Sequence, residues 1–287
     1  MRSRVAFSAL TCVVAAAAAY AAVGSLISSF FVTNGVRRPY AYGINRNPSF
    51  VFVVMDGEDS DFIYRYNPSG SFVSSVRLSG TACPRGADPC HVGGTYMCVV
   101  DSSLKKLFVV NAYTGAAVTS FSVSVAGGPP QAVMWDGTYY YVASQAPGAF
   151  GRYTSGGASA GTWAASGWPA AMHATGGAAF AHVAGGLGGN YLVASSYARG
   201  EPSCLIDMDG GSLLATWTMP ALPNGLSYGA AYGDSSEPPT YGAAYWVNWS
   251  DGGEPYPNWY AFEVDIGARG GQAVLPVSLG KVKAIYR

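Results

Sequence analysis

The sequence predicts an all-β chain folded as a β-propeller of four-stranded blades, and three observations predict it. A glycine followed by a short alternating run rich in Ser or Ala recurs at Gly24, Gly70, Gly115, Gly157, Gly211 and Gly271, at spacings of 46, 45, 42, 54 and 60 residues. A period near 45 holds four strands of five or six residues with their turns. Charged residues make up only 11% of the chain, against 38 Gly and 20 Tyr, a composition that disfavours helices and suits strands. Past the first 21 residues, no segment sustains apolar residues at i, i+3, i+4 and i+7.

The chain opens MRSRVAFSALTCVVAAAAAYAAVGS. Arg2 and Arg4 precede a largely apolar run, and Ala19-Tyr20-Ala21 places small residues where a signal peptidase reads, so residues 1–21 are expected to be a cleaved secretory signal. An uncleaved anchor is the rival reading, but the run is short for a bilayer and rich in Ala rather than Leu. Residues 22–287 then form one β-propeller domain, exported or held at the cell surface, with no membrane span of its own. Removing the signal takes away two arginines and leaves 14 basic against 16 acidic residues. That balance gives no long-range attraction for nucleic acid or anionic membrane.

Within each unit the strands have distinct characters. The first is small and apolar (PYAYGI, QAVMW, GAAFAHV, SYGAAYG), as befits strands converging on an axis. The second is a continuous run such as SFVFVVMD, TYMCVVD or TYYYVAS, the pattern of a strand buried on both faces. The third alternates and ends at the glycine, which accepts the positive φ of a tight hairpin. The fourth is the Ser/Thr-rich marker strand, expected to be half exposed.

Five units carry the first three strands, at about 35–69, 82–114, 129–156, 174–210 and 226–269, whereas the marker strand appears six times. One spare strand remains, either Ser25–Val32 or Gln272–Leu279. It predicts a ring closed by a terminal strand, which leaves no sheet edge at the join. Five blades with an added strand, or six with the last built from both termini, satisfy the count; the six markers tip the reading towards six. The spare strand also offers a template for self-association.

Four cysteines follow the signal: Cys83, Cys90, Cys98 and Cys204. An even number in an exported chain points to disulfides. Cys83 and Cys90 bracket CPRGADPC, which reads as a loop closed by a local bridge, while Cys98 and Cys204 either bridge units or stay as buried thiols. No C-x₂-C pair supports a metal site.

The runs VMWDGTYYYVAS (133–144) and VGGTYMCVVDSS (92–103), with the turns at Tyr66–Gly70 and Val110–Gly115, resemble secreted bacterial propellers of the NHL, YncE-like and streptogramin-lyase-like group. The resemblance covers nearly all of the mature chain and implies repeat-mediated binding or surface structure. The lyase branch of that group places histidines and glutamates around a metal. Those residues are not carried over, because His91, His173 and His182 have no carboxylate at a matching offset.

Among candidate sites, the acidic run from Asp56 to Asp61 has the oxygens of a calcium loop but reads as a hairpin tip, and Asp207 and Asp209 read likewise. No Ser-His-Asp, Cys-His or G-x-S-x-G arrangement is visible, so no catalytic residue, metal or cofactor is assigned. The aromatic supply points instead to Trp249, Tyr256 and Trp259, in an insertion expected at the rim, as rings that contact a protein or glycan partner. Asn248-Trp249-Ser250 is the one glycosylation sequon whose middle residue is not proline. The expectation is a non-catalytic binding or structural module. A lyase or glycan-active enzyme with a site at the axial mouth is the alternative, and a His–carboxylate pair converging there would favour it.

Overall fold

A computed structural model describes residues 26–32, 40–183, 189–198, 200–218, 227–234, 243–250 and 259–265. Every regular element among them is a strand. The first strand, β1 (Leu26–Val32), stands apart, and four antiparallel sheets follow in chain order. Blade 1 is β2 (Tyr40–Arg46), β3 (Val51–Asp56), β4 (Phe62–Tyr66) and β5 (Phe72–Arg77). Blade 2 is β6 (Pro84–Pro89), β7 (Tyr96–Asp101), β8 (Lys106–Asn111) and β9 (Ala117–Ser122). Blade 3 is β10 (Pro130–Trp135), β11 (Tyr139–Ser144), β12 (Ala149–Thr154) and β13 (Ser159–Ala164). Blade 4 is β14 (Gly177–Val183), β15 (Gly189–Ser195), β16 (Ser203–Asp207) and β17 (Ser212–Trp217). Blade 5 consists of β18 (Ser227–Asp234), β19 (Ala243–Ser250) and β20 (Trp259–Asp265), with β1 as its fourth strand.

The first strands pack in sequence around an axis, β2 on β6, β6 on β10, β10 on β14, β14 on β18 and β18 back on β2. Among the described residues that last contact joins five blades into a ring, the first of the two layouts that the marker count allows. The closing strand is β1, paired with β20 from Leu26↔Val264 to Val32↔Trp259. Bound there, it is not available for self-association unless it leaves its own ring. Residues 1–21, expected to be a signal, and the sixth marker run after Gly271 lie outside the described residues.

The second strands explain the packing. In β3, Val51, Val53 and Met55 enter a core shared with Val32, Ala231, Trp259 and Ala261 of blade 5. The alternate residues Phe52 and Val54 face Met97, Val99, Phe108 and Val110 of blade 2. Period-two alternation thus places two apolar faces in two different seams, and the same holds in β7 and β11. At roughly 25 cal/mol per Å² of apolar surface removed from water, these seams are the main source of stability.

The marker glycines do two jobs. Gly70 and Gly157 take φ of 87° and 85°, and each hairpin lies under an aromatic ring from the preceding blade, Phe30 of β1 on Gly70 and Phe121 of β9 on Gly157. A Cβ at either position would overlap that ring. The motif therefore marks a seam as well as a turn, and β1 fills the seat of Phe121 in its own blade.

CPRGADPC is not a loop. Residues 84–89 form β6, so Cys83 and Cys90 lie at opposite ends of an extended strand, about 20 Å apart at the usual rise per residue. The four cysteines among the described residues are free thiols, and Cys90, Cys98 and Cys204 are buried. A Cys83–Cys90 bridge is thereby ruled out.

Candidate functional site

The innermost strands all begin, and the second strands all end, on one face of the ring, here called the entry face. The pairs Tyr40↔Asp56, Pro84↔Asp101, Pro130↔Ser144 and Gly177↔Ser195 place a polar residue at the end of each second strand. Below that level the axis is tightly built. A Cβ on Gly43 would stand 2.5 Å from the Arg85 carbonyl oxygen, and one on Gly86 2.7 Å from the Ala132 Cα. The inner strands thus meet backbone to backbone, and side-chain chemistry is displaced to the ends.

Two of these end residues secure the linkers between blades. Asp101 accepts from the backbone N–H groups of Ala82 (2.6 Å), Cys83 (2.9 Å) and Leu104 (2.8 Å). Ser144 donates to the Ala126 carbonyl (2.5 Å) and accepts from the Ala146 N–H (3.1 Å). Asp56 occupies the same position in blade 1 but, among the described residues, takes no backbone N–H. Its Oδ2 accepts from the Cys83 thiol at 3.4 Å and stands 4.0 Å from Arg85 Nη1. Burial pushes its carboxyl up to about 6; the Cys83 hydrogen bond and Arg85 oppose this, and Asp61 and Asp101 add to it. Asp61 is also raised, by burial, against a 2.7 Å hydrogen bond from Thr81 Oγ1.

Arg85 completes this group. A bulge in β6 between Pro84 and Ala87 carries it out of register, and a bulge in β2 does the same for Tyr42. The guanidinium lies 3.6 Å from the Tyr42 ring centroid, and its Nε donates to Ser102 Oγ at 3.3 Å. Burial alone would lower its pKa, but Tyr42, Cys83 and Asp56 beside it raise it, so it stays charged. The Arg85 and Asp56 side chains are 18% and 19% exposed. Carboxyl, thiol and guanidinium therefore share one partly open position at the entry end of the seam between blades 1 and 2. A polar groove of about 480 Å³, lined by residues including Glu58, Asp61, Arg77, Thr81 and Ala82, adjoins it.

Blade 4 brings a second group to the same face. His173, ahead of β14, and Glu201, between β15 and β16, meet with Nδ1 to Oε1 at 2.6 Å. Glu201 Oε2 also accepts from the His173 N–H (2.9 Å) and the Ser196 hydroxyl (2.5 Å). Burial would raise the Glu201 carboxyl, but the Ser196 and His173 donors hold it below its ordinary value. An ionised Glu201 places the imidazole proton on Nδ1 and leaves Nε2 as the acceptor. The absence of a carboxylate partner expected for His173 is corrected here: the partner comes from another loop of the same blade.

The remaining candidates fall elsewhere. His91 pairs with the Tyr140 hydroxyl (2.6 Å) at the far end of β6, on the opposite face. Trp259 is not a rim aromatic. It is 0% exposed, because alternation along β20 turns it inward with Ala261, against Tyr42 and the blade 1 core. Asn248 and Trp249 lie in β19 between β18 and β20, paired with Tyr228 and Ser227. Tyr256 lies outside the described residues, and of His182 only the backbone position in β14 is described. The segment from Gly57 to Asp61 joins β3 to β4 as a hairpin tip. No group of three His, Cys, Asp or Glu suited to a metal ion occurs among the described residues.

The sequence matches no protein-family model and no curated protein. Solved structures do match the fold. Glutaminyl cyclase of Myxococcus xanthus superposes with a TM-score of 0.57 at 14% identity, covering 85% of this chain and 98% of that one. A protein of unknown function from Bacteroides caccae gives a TM-score of 0.45 at 14% identity, covering 64% and 69%. At 14% identity the Myxococcus xanthus structure supports the β-propeller architecture alone.

Proposed function

We propose that this chain is an exported, non-catalytic β-propeller that binds a ligand at its entry face. Export rests on the basic-then-apolar character of residues 1–21 and on Ala19-Tyr20-Ala21. The binding reading rests chiefly on Arg85, a charged group held over the Tyr42 ring and left partly open at the mouth of a seam, where Asp101 and Ser144 at neighbouring positions are spent on backbone. Loops at the end of a rigid ring are where such scaffolds carry binding groups.

The test is capture of defined glycans and peptides from arrays by the mature chain. Ligands that engage the entry face are lost with Arg85→Gln and kept with Val92→Ser, a change at an exposed residue beyond the opposite end of β6. Equal loss, or no loss, in both variants refutes the reading.

One observation favours an enzyme instead, the His173–Glu201 pair. An imidazole oriented by a carboxylate, with its second nitrogen free to accept, is the arrangement of a general base. The Myxococcus xanthus protein, an enzyme by its name, has the same architecture. Turnover of any substrate by the mature chain that is abolished in His173→Gln would replace the non-catalytic reading.

A further inference from the structure

We propose that Arg85, stacked on Tyr42 and paired only loosely with Asp56, forms with that carboxyl a binding site for the carboxylate group of a small ligand. This inference rests on the entry-face reading and names the ligand class.

Three features of the site select this ligand. Arg85 is preorganised: Ser102 takes its Nε, the Tyr42 ring lies 3.6 Å from its Cζ, and a β-bulge fixes the backbone that carries it. A planar fork held this way suits a planar two-oxygen anion. The 4.0 Å gap from Nη1 to Asp56 Oδ2 lies at the outer limit of an ion pair, so the internal carboxyl does not saturate the guanidinium. The surroundings then set the charge of the ligand. Asp56 is faced by Arg85 and the Cys83 thiol from the β6 side, by Asp61 ahead of β4 and by Asp101 at the end of β7. A dianion such as phosphate meets three carboxyls there against one cation. A monocarboxylate meets the same cation with half the repulsion, and it can accept a hydrogen bond from Asp56 when that group is protonated. The adjoining groove, reached past Asp61 and Ala82, has room for the rest of the ligand.

Proton linkage follows. With a pKa near 6, Asp56 competes with the ligand for Arg85 at pH 8 and donates to it at pH 5. Binding therefore tightens as pH falls, and Asp56→Asn, which imitates the protonated form in size and polarity, fixes the tight state at high pH.

The test is an NMR titration of the ¹⁵N-labelled mature chain with sodium formate, a carboxylate ionised across about pH 5 to 8, read at the Cys83 and Ser102 amides. Inorganic phosphate serves as the second probe. Formate is expected to bind Asp56→Asn about tenfold more tightly than the parent at pH 8, the effect of removing one like charge at roughly 4 Å. The two proteins should converge at pH 5. Arg85→Gln abolishes the response, Arg85→Lys weakens it through loss of the stacked fork, and phosphate binds more weakly than formate. Formate affinity independent of the Asp56 substitution, or retained in Arg85→Gln, overturns the proposal. Should formate give no response while array capture still depends on Arg85, the ligand class is wrong and the entry-face reading stands; loss of both removes both.

Discussion

Replacing Asp56 by Asn should change the pH dependence of stability in a defined direction. The folded carboxyl titrates at about 6 against an ordinary 3.8. The folded state therefore holds this proton more tightly than the unfolded chain does. The corresponding stability is complete below pH 3.8 and is lost as pH rises through about 6. A shift of about 2 units, at 1.36 kcal/mol each, sets a ceiling of about 3 kcal/mol. Since 19% of the side chain still meets solvent, screening reduces this to about 1–2 kcal/mol. The pairing with Arg85 that Asn forfeits is worth less than about 1 kcal/mol at 4.0 Å. In a chain of this size, 1–2 kcal/mol moves the melting temperature by about 4 °C. Calorimetry of both proteins from pH 4 to pH 8 is the assay. Asp56→Asn should melt higher at pH 8 and lose that advantage towards pH 4. Parallel curves, offset by a constant, would refute the reasoning, because a group with an unshifted pKa adds no slope in this window.

The other expectations concern the ring. Gly157→Ala places a methyl group where Phe121 sits, at a φ of 85°, and should cost about 2 kcal/mol or more in urea unfolding. Gly93→Ala, with a φ of 67° but nothing within 4 Å, should cost about 1 kcal/mol, which separates backbone strain from the seam clash. Trp259→Ala empties a fully buried position and should destabilise by about 3–5 kcal/mol, an effect a ring exposed at the rim would not show. Deleting residues 22–32 bares the β20 edge and removes Val32 from its core; a lower melting temperature and self-association in sedimentation are expected, and an unchanged monomer would exclude β1 as the closing strand. Thiol titration of folded residues 22–287 should show one accessible thiol, Cys83, with Cys90, Cys98 and Cys204 reacting only on unfolding.

What the sequence revealed and what it hid divide along a physical line. Strands such as β3 and β11 write their burial into consecutive residues, because both faces of one strand are apolar and the period is two. The hairpin glycines mark a local backbone need, so they appear at fixed offsets; the blades could be read from these alone. Blade number could not, because it depends on whether β18 meets β2, a contact between the two ends of the repeat array. The loop assigned to CPRGADPC failed for a related reason: two prolines and a glycine signal a turn, yet at an innermost strand they mean a bulge and a close backbone approach, with Gly86 lying against Ala132. The site is the extreme case. Asp56 and Arg85 lie 29 positions apart, and His173 and Glu201 lie 28 apart, distances set by blade geometry rather than by any motif. One signal was present in the sequence: aligned by their second strands, the blades end in Asp56, Asp101, Ser144 and Ser195. Asp101 and Ser144 fasten linkers; Asp56 faces Arg85. That departure of one blade from the rule followed by its neighbours is what separates the site from the scaffold, and it can be recognised only once the rule is known.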